Sequence, residues 1–422
     1  GYNYMEWFFR EVAFPELPDN REAYFQYEGL QISRAFHPRE TEESKEKILA
    51  ANHLLRKRPH LGAAMDRIIE EHHLLDADLV GFTSMFSQTV PILAMARRLK
   101  ELKPEIVIVL GGSNCESPMG EEIVRNFEVI DFVFSGPALK SFPTFVGHLL
   151  RGETEALQCI NGVFSRENLK RINYPGVESK YLPGTILVAG DEISPEVYLE
   201  LDYDDFMATR EAYPFSELTE AGLFFETSKG CWWGEKAHCT FCGLNSGSMA
   251  YKHTHDDHAA RQISHLNEKY GDKVKYLAAV DNIMPKHYPK EVFAKMKLKH
   301  PATIYYDIKS DLTREELVYL KETGVSVLQP GIEAFDNALL KLMRKGVSST
   351  QNLRFLKDAT EIGHQVMWLL LLGFPHETED YYHKYDQSLK YLVHLYPPDL
   401  TGGLSFCRYS PYHTHAEQYG LE

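Results

Sequence analysis

The sequence predicts an α/β protein with two or more domains, in which strands alternate with helices. Short apolar runs alternate with amphipathic stretches between residues 77 and 150, and six further apolar runs separated by helical segments follow residue 221. Such alternation is typical of parallel sheets, because each connection between parallel strands needs a helix-length crossover. The 422 residues, of which 44% are hydrophobic, can bury a sizeable core in two or more domains.

Composition narrows the class of protein. Lys and Arg number 45 against 60 for Asp and Glu, the formal charge is −15, and no block rich in Lys or Arg is present. We therefore expect neither a nucleic acid nor a membrane as a partner. The longest apolar run, 366–374, is far shorter than the roughly 20 residues that cross a bilayer, and no signal-peptide pattern opens the chain. The expected location is cytoplasmic, where thiols stay reduced.

The pattern divides the chain into four predicted segments. The first is mixed and closes in a helix over 46–75, the second is a sheet wound with helices, the third is a linker marked by Gly and Pro, and the fourth is a longer alternating region. We assign no chemical motif to the first segment. The predicted bounds are residues 1–75, 76–155, 156–220 and 221–422.

The second segment contains three predicted strands, at 78–84, 105–112 and 130–136. The helical stretch after the first strand has an apolar face formed by Ile92, Ala96, Leu99 and Leu102. Ligands of parallel sheets bind at the carboxyl ends of the strands. Small residues that would let a flat cofactor approach the backbone lie at these ends: Ser84, Gly111, Gly112, Ser113 and Gly136.

The fourth segment contains six predicted strands with helices between them. They lie at 223–228, 275–280, 303–308, 325–332, 366–374 and 403–410. One helix opens with the capping pattern Thr313 to Glu316. Six successive strand–helix units in a region of this length predict a closed or three-quarter barrel, with its chemistry at the carboxyl ends of the strands.

Three cysteines follow the first predicted strand of this barrel, in the stretch GCWWGEKAHCTFCGLN at 230–245. Cys231, Cys239 and Cys242 could form a structural zinc site, with His238 or a distant residue as the fourth ligand. Thiolates also hold iron–sulfur clusters, normally through four cysteines. Three cysteines leave one iron of a [4Fe–4S] cluster open, and an open iron can bind a substrate or a cofactor.

With this triad the chain resembles the radical SAM enzymes, in which a [4Fe–4S] cluster binds S-adenosylmethionine (SAM) and cleaves it to a 5′-deoxyadenosyl radical. The commonest spacing in that family is three residues and then two, whereas it is seven and then two here. The longer insert resembles cobalamin-domain radical SAM proteins that mature ribosomally made peptides. Six further stretches share the resemblance: 111–120, 278–288, 327–346, 351–357, 370–382 and 394–412. The family pattern extends beyond both ends of this chain.

The resemblance implies a Rossmann-like domain of the cobalamin-binding type followed by a partial (β/α)6 radical SAM barrel. It implies that the three cysteines bind the cluster as thiolates. It also implies that cobalamin lies against the five small residues named above, without a histidine of the protein on cobalt. Residues that match SAM-binding positions are Asp281, Asn282, Lys309, Glu333, Arg344, Gly373, Phe374 and Pro375. The last three are expected beside the adenine.

The polar groups of the other five side chains suggest which part of SAM each would contact. Asp281 and Asn282 would meet the ammonium group of SAM, Lys309 and Arg344 its carboxylate, and Glu333 its ribose or amine. Each has another interpretation: Asp281 and Asn282 can cap the following segment, and Lys309 and Arg344 can be solvated surface cations. The nineteen histidines show no ligand spacing, so no second metal is expected.

The implied function is modification of a ribosomal precursor peptide at an unactivated sp3 carbon, by cobalamin-dependent C-methylation or a related ring formation. An electron donor such as flavodoxin or ferredoxin is implied as a further partner. Two alternatives stay open at this point. One is a cobalamin-independent radical peptide epimerase or crosslinking enzyme, and the other is a non-catalytic metal-binding scaffold that presents a peptide-binding surface.

Overall fold

The computed structural model describes residues 4–20, 23–24, 55–174, 184–194, 196–244 and 249–421. The chain divides into two compact units, Gly1–Ile193 and Ser194–Glu422. The division falls inside the segment 156–220, for which the sequence predicts a linker. Within the described ranges, no helix has both the length and the apolar character needed to cross a membrane.

The first unit contains a four-stranded sheet whose strands follow one another in chain order. The strands are β1 (Leu79–Thr83), β2 (Val107–Gly111), β3 (Phe132–Phe134) and β4 (Val163–Phe164). The first three are parallel, which confirms the predicted strands, whereas β4 is antiparallel to β3. Sequence reasoning missed β4 because an apolar pair is too short to show a strand period. A small parallel pair, β5 (Ile172–Asn173) and β6 (Ile186–Leu187), follows.

Helices cover both faces of this sheet. They span Tyr4–Ala13, Leu61–Glu71, Thr89–Leu102, Met119–Asn126, Ser141–Leu150 and Thr154–Leu157. On one face, Ile108 and Leu110 of β2 belong to the same buried cluster as Leu99, and on the other face Val109 clusters with Phe145. A strand buried on both faces needs apolar side chains at every position, which explains the unbroken apolar run of β2.

Two details of the first unit differ from the prediction. The helix predicted over 46–75 is interrupted by a 3-10 turn, Arg58–His60, because Pro59 has no N–H to continue the helical hydrogen bonds. Residues 46–54 of that predicted helix lie outside the described residues. Leu102, predicted on the buried face of its helix, is exposed in the last turn.

The second unit contains nine described strands. In chain order they are β7 (Gly222–Phe225), β8 (Ser228–Lys229), β9 (Lys252–His253), β10 (Tyr276–Ala279), β11 (Ile304–Ile308), β12 (Val325–Pro330), β13 (Gln365–Val366), β14 (Leu369–Leu372) and β15 (Leu400–Gly403). Five form an all-parallel sheet in the order β13-β12-β11-β10-β7. β14 and β15 form a parallel pair, and one bridge joins Glu333 to Leu370. β8 and β9 form an antiparallel ribbon.

The first four strands predicted in this unit are confirmed. The fifth, 366–374, is in fact two strands, β13 and β14, separated at Met367 and Trp368. The sixth, 403–410, is wrong: the strand β15 lies earlier, and Ser410 instead caps the helix Pro411–Thr414. The sequence of β15, LTGG, carries no apolar period, so pairing with β14 defines this strand rather than a local pattern.

The helices of the second unit have well-defined starts. They span Asp204–Ala212, Gly234–Ala237, Asp256–Tyr270, Tyr288–Glu291, Arg314–Glu322, Asn337–Leu342, Ser349–Ile362, Asp380–Leu389 and Pro411–Thr414. The predicted cap at Thr313 is a capping box with Glu316. Ser348 and Gln351 form a second capping box. Each box satisfies N–H groups at a helix start that would otherwise lack partners.

Side-chain alternation gives the five-stranded sheet two different faces. Leu223, Phe225, Leu277, Ile304 and Tyr306 belong to one large buried cluster with residues of the surrounding helices. Because successive side chains of a strand point to opposite sides, the residues between them point away from these helices. The sheet therefore has one face packed on helices and a second face available for other contacts.

We call the second face the inner face and define it by Phe224, Ala278, Val280, Tyr305, Asp307 and Gln329. Ala278 lies in register with Phe224 and with Tyr305, and Asp307 lies in register with Gln329. Phe224, on the edge strand β7, is 54% exposed, and Val280, directly after β10, is 51% exposed. The inner face thus combines exposed apolar side chains with a carboxylate.

Candidate functional site

The cysteine loop, residues 230–244, begins where the chain leaves β7 and β8. Gly230 has a φ of +76°, and a Cβ there would lie 2.2 Å from the carbonyl oxygen of Ala250. Only glycine accommodates both the left-handed backbone and this close approach. The loop therefore starts at the carboxyl end of β7, as the cysteine pattern predicts, and Cys231 is its second residue.

The three thiols of this loop are free and partly buried. Burial raises the pKa of the Cys242 thiol to about 11 and also raises the pKa of Cys239. In both cases the neighbouring thiols raise the pKa further, whereas the Lys345 ammonium opposes the shift. Thiols in such surroundings become stable thiolates when a bound metal ion supplies positive charge.

The spacing of the sulfur atoms separates the two metal interpretations. Among the described residues, the sulfurs of Cys231, Cys239 and Cys242 do not all lie within 4.8 Å of one another. Ligands of a single tetrahedral zinc ion would have sulfurs about 3.8 Å apart, given a Zn–S distance of about 2.3 Å. His238, the proposed fourth zinc ligand, uses Nε2 in a 2.8 Å hydrogen bond to the carbonyl of Cys242. The three thiols and His238 therefore do not form a ready-made mononuclear zinc site.

Two tryptophans attach the cysteine loop to other strand ends. The indole N–H of Trp232 donates to the carbonyl of Met284 at 3.1 Å, and that of Trp233 donates to the carbonyl of Arg344 at 3.0 Å. The ammonium group of Lys286 lies 4.3 Å from the ring centroid of Trp232. These contacts fix the loop to the segments that follow β10 and β12.

Lys345 is the cation beside the thiols, and sequence reasoning missed it. Its Nζ lies 3.2 Å from Oε1 of Glu333, with both side chains almost fully buried. Burial lowers the pKa of Lys345, but Glu333 and the thiols of Cys239 and Cys242 oppose this, and the net pKa is raised. Lys345 therefore stays protonated and gives the cysteine loop a permanent positive charge.

The neighbouring Arg344, predicted as a SAM-binding cation, contributes in another way. Its backbone has a φ of +56°, and its guanidinium lies 5.8 Å from the ring centroid of Tyr419. The group that faces the cysteine loop is its carbonyl, which accepts the hydrogen bond from Trp233. The left-handed turn explains why the structure brings Lys345, rather than the guanidinium of Arg344, beside the thiols.

Lys309 lies at the same end of the sheet and is not a solvated surface cation. Its Nζ donates to the carbonyl of Gly346 at 2.8 Å, lies 3.6 Å from Asp311 and sits 4.4 Å from the ring centroid of Trp233. Burial lowers the pKa of Lys309, and Asp311 partly opposes this. The structure thus brings Lys309, Lys345 and Glu333 to the strand ends around the cysteine loop.

Asp281 binds the turn after β7. Its fully buried carboxylate accepts hydrogen bonds from the backbone N–H of Thr227 at 2.7 Å, the hydroxyl of Thr227 at 2.6 Å and the hydroxyl of Ser228 at 2.8 Å. Burial raises the pKa of Asp281, and these hydrogen bonds lower it. With its oxygens used in this way, Asp281 positions the turn before the cysteine loop. Asn282 follows it and is half-buried.

The segment 373–375 follows β14 directly, whereas the predicted strand extended to residue 374. Gly373 has a φ of +83° and open space around its missing Cβ, and Phe374 is buried against Phe241. Nearby, the backbone N–H of Phe374 donates to Oε2 of Glu377, whereas Oε1 of Glu377 is buried without a hydrogen-bond partner in the described part of the chain. A buried acceptor without a donor fits a ligand that carries N–H or O–H groups.

Asp307 on the inner face is a second titratable group that sequence reasoning missed. Burial raises the pKa of Asp307 to about 7, while a 3.1 Å hydrogen bond from the hydroxyl of Tyr305 lowers it. Asp281 and Glu333 add to the increase through repulsion between negative charges. Asp307 lies inside the run TIYYDI rather than at a strand end, and an acidic residue in such a run is itself a signal, because strands disfavour Asp.

In the first unit, the small residues at the strand ends form one packed turn. The N–H of Ser84 donates to the carbonyl of Gly111 at 2.7 Å, and Asn114 donates to the carbonyl and the hydroxyl of Ser84. Gly112 has a φ of +97°, and a Cβ there would lie 2.5 Å from the Ser84 carbonyl oxygen. The structure thus brings Ser84 and the segment 111–113 together.

Gly136 lies apart from that turn, after β3. It has a φ of +74°, and a Cβ there would lie 3.0 Å from the Cβ of Ala189. Its neighbour Ser135 accepts a 2.9 Å hydrogen bond from the N–H of Gly190. Gly136 therefore packs against the segment 189–190, and the structure contains no described hydrogen bond that links it to Ser84.

The expectation that the histidines form no ligand-spaced group is wrong. The ligand atoms of His253, Asp256 and His287 all lie within 4.8 Å of one another. His287 is separated from the other two by a helix and a strand, so no local spacing in the sequence reveals the group. This group is distinct from the three cysteines.

Comparison with known families identifies the domain that contains the site. Residues 225–388, a range that includes all three cysteines, match the family model of the Radical SAM superfamily. The chain therefore contains a radical SAM domain.

The chain is also similar to a curated protein that is named as a methyltransferase. An uncharacterised methyltransferase of Pyrococcus horikoshii is 25% identical over 311 residues, which is 72% of this chain and 62% of that protein. The chain thus spans less than two thirds of that relative.

Two solved structures share the fold. The cobalamin-dependent S-adenosylmethionine radical enzyme OxsB, with aqua-cobalamin and S-adenosylmethionine bound, has a TM-score of 0.61 at 14% identity, over 85% of this chain and 55% of that chain. The radical S-adenosylmethionine methyltransferase TsrM of Kitasatospora setae, with tryptophan and a SAM analogue bound, has a TM-score of 0.52 at 16% identity, over 82% of this chain and 67% of that chain.

We expect the Asp307→Asn variant to gain stability relative to the unmodified protein as the pH rises from about 4 to about 7. With its pKa raised to about 7, the folded protein keeps a proton on Asp307 that the unfolded chain has released, so stability falls over this range and asparagine removes the fall. The effect is about 4 kcal/mol at most. Thermal unfolding of both proteins across this range measures it.

The Tyr305→Phe variant is the matched control for this measurement. It keeps Asp307 but removes the hydrogen bond that lowers the pKa of the carboxyl, so its loss of stability with rising pH should extend further. If the stability of the Asp307→Asn variant and that of the unmodified protein changed with pH in parallel throughout this range, the raised pKa of Asp307 would be contradicted.

Proposed function

We propose that this protein is a cobalamin-dependent radical SAM enzyme of the methyltransferase class that modifies a ribosomally made precursor peptide at an sp3 carbon. The observation that carries the proposal is the position of Cys231, Cys239 and Cys242. They lie on the loop after the first strand of the parallel sheet, inside the region that matches the radical SAM family model. Three thiols in this place suit a cluster with one open iron.

The thiols, their charges and their hydrogen bonds fit a [4Fe–4S] cluster. When bound, the cluster supplies the electron that cleaves SAM to a deoxyadenosyl radical. The backbone N–H of Gly234 donates to the sulfur of Cys231 at 3.2 Å, and Lys345 holds a positive charge near Cys239 and Cys242. Hydrogen bonds and charges beside the sulfurs tune the reduction potential of iron–sulfur clusters.

Four side chains of the second unit are proposed to bind SAM. Lys309 and Lys345 attract its carboxylate, and Glu333, already paired with Lys345, accepts from its amine or ribose. The segment 373–375 and the unpartnered oxygen of Glu377 meet the adenine, whose amino group is a hydrogen-bond donor. Lys345 takes the part that the sequence suggested for Arg344. Asn282 remains a candidate, whereas Asp281 acts by positioning the cysteine loop.

Cobalamin is proposed to bind at the strand ends of the first unit, against Ser84, the segment 111–113 and Gly136. When bound, cobalamin supplies the methyl group that is transferred. The support is the position of this packed glycine turn at the carboxyl ends of parallel strands, where ligands of such sheets bind. OxsB and TsrM, which share the fold, have been solved with cobalamin bound.

The peptide is proposed to lie along the inner face of the second unit. Phe224 and Val280 expose apolar surface there, and the carboxyl group of Asp307 can exchange hydrogen bonds with peptide amides. An extended peptide covers such a face and excludes water from a reactive radical, whereas a free amino acid would leave much of it open. Flavodoxin or ferredoxin is the proposed electron donor, and the cytoplasm the proposed location.

We expect each of Cys231→Ala, Cys239→Ala and Cys242→Ala to lose the cluster, because each removes a thiolate ligand. Anaerobically reconstituted protein should contain about four iron and four sulfide ions per chain, and each variant far less. The exposed residues Cys159 and Cys407 provide matched controls, and their alanine variants should keep the cluster. Stoichiometric zinc without iron in the unmodified protein would contradict the assignment.

We expect Gly112→Ala to weaken cobalamin binding at least about tenfold, since a Cβ would displace Ser84 from the turn. Absorption titration of the full natural protein with hydroxocobalamin measures the affinity. Gly152→Ala is the matched control, because Gly152 also has a positive φ but has open space around it. If the unmodified protein binds no cobalamin, the enzyme belongs to the cobalamin-independent alternative.

Mass spectrometry of a co-expressed precursor peptide tests the substrate, with 5′-deoxyadenosine measured in parallel. A peptide that gains one methyl group is the expected product. Phe224→Ala should lower peptide modification without lowering the cleavage of SAM in the absence of peptide, whereas alanine at the exposed Leu218, outside the sheet, should change neither. Efficient turnover of a free metabolite with every precursor peptide ignored would refute the peptide assignment while leaving the radical chemistry intact.

A further inference from the structure

The group formed by His253, Asp256 and His287 is separate from the cysteine loop. His253 is on β9, Asp256 is the first residue of the helix Asp256–Tyr270, and His287 directly precedes the helix Tyr288–Glu291. Nε2 of His287 lies 2.8 Å from Oδ1 of Asp256, and Nδ1 of His253 lies 3.9 Å from the same oxygen. Three different elements thus direct ligand atoms to one point.

We propose that His253, Asp256 and His287 bind a divalent transition metal ion of the zinc type. Two imidazoles and one carboxylate are a common zinc ligand set that leaves a fourth position for water or another ligand. Zinc bonds of about 2.1 Å to nitrogen and oxygen place tetrahedral ligand atoms about 3.4 Å apart. The observed distances of 2.8 and 3.9 Å lie on either side of this value. Nδ1 of His253 also lies 3.0 Å from the carbonyl oxygen of Thr254, so metal binding requires this ring to give up that hydrogen bond or to present Nε2 instead.

The site can exchange metal with solvent but is also held in shape. The side chains are 40%, 26% and 37% exposed for His253, Asp256 and His287. The buried ring of Tyr288 contacts both imidazoles edge to face, at centroid distances of 6.4 and 5.1 Å. Such packing limits the ring orientations, as the surroundings of metal-binding histidines commonly do.

Nearby charges are mixed and do not exclude a cation. Asp257 adds a carboxylate next to the site, and it is paired with the ammonium of Lys295 at 2.8 Å. Lys252 precedes His253 on β9, where successive side chains alternate between faces. Oδ1 of Asp256 lies near a nitrogen atom of each imidazole. One metal ion can bind this oxygen and both nitrogens, whereas one proton can link the oxygen to only one of them.

The position of the site indicates what a bound metal would do. In the β8–β9 ribbon, His253 lies opposite Ser228, and Lys252 lies opposite Lys229, one residue before Gly230. A metal on His253 would fasten this ribbon to the helix Asp256–Tyr270 and to the segment after β10. The ribbon closes the cysteine loop at its base, so the metal would stabilise that loop without using its thiols.

Zinc content of the protein with its cluster assembled tests this site. The anaerobic protein is dialysed against Zn2+, and bound zinc is measured by mass spectrometry of the metal. We expect about one zinc per chain beyond any held elsewhere, and at least about tenfold weaker binding in His253→Ala and in His287→Gln. Glutamine can keep the hydrogen bond to Asp256, which protects folding. The exposed residues His72 and His394 provide the control, as a double alanine variant that should keep the zinc.

Two results would overturn the proposal. One is equal zinc content in His253→Ala, His287→Gln and the unmodified protein, and the other is loss of all bound zinc when Cys231, Cys239 and Cys242 are replaced together. Two results together would support the site. The triple cysteine variant would retain zinc, and zinc would increase the unfolding temperature unless His253 were replaced by Ala. This outcome does not depend on whether the proposed cluster and radical chemistry are right.

Discussion

The site in the second unit depends on the hydrogen bonds that the buried carboxylate of Asp281 accepts. It binds Thr227 and Ser228 and so ties the end of β10 to the turn after β7. The hydroxyl of Tyr288 donates to the carbonyl of Thr227, and the hydroxyl of Tyr306 lies 3.1 Å from that of Thr227. An unpaired buried carboxylate would cost about 3 kcal/mol or more, so this network strongly favours one conformation of the turn. The cysteine loop begins at Gly230, three residues after Thr227, so the network defines where the loop starts.

Charge balance around the thiols follows from two unusual backbone positions. Glu333 and Arg344 have φ values of +57° and +56°, a region that costs non-glycine residues about 1 kcal/mol or more. These turns flank the helix Asn337–Leu342 and bring Glu333 and Lys345 together as a buried ion pair. Burial favours neutral thiols, whereas Lys345 favours thiolates. The strained backbone positions of Glu333 and Arg344 thus accompany the arrangement in which the amine of Lys345 lies beside the cysteines.

The two groups for which we propose metal ligation are attached to the same ribbon. Cys231 follows β8 after one glycine, and His253 ends β9, so the thiols and the imidazoles are connected through the pairing of Ser228 with His253. Tyr288 joins them a second time, because its hydroxyl binds Thr227 and its ring contacts both His253 and His287. Thiolates suit iron–sulfur clusters and imidazoles with a carboxylate suit zinc, but zinc also binds thiolates, so metal content has to be measured with and without the cysteines.

Local patterns determined the parts of this protein that depend on neighbouring residues alone. The period of β1, β2, β3, β7, β10, β11 and β12, the cap at Thr313 and the cysteine spacing could be read from the sequence, because each is set within a few positions. The tertiary structure decided the rest: the split of β13 from β14, the position of Lys345 beside the thiols, the internal hydrogen bonds of Asp281, the raised pKa of Asp307 and the meeting of His287 with Asp256. These features depend on residues that are distant in the chain and on the direction of single turns, and no local period encodes either of them.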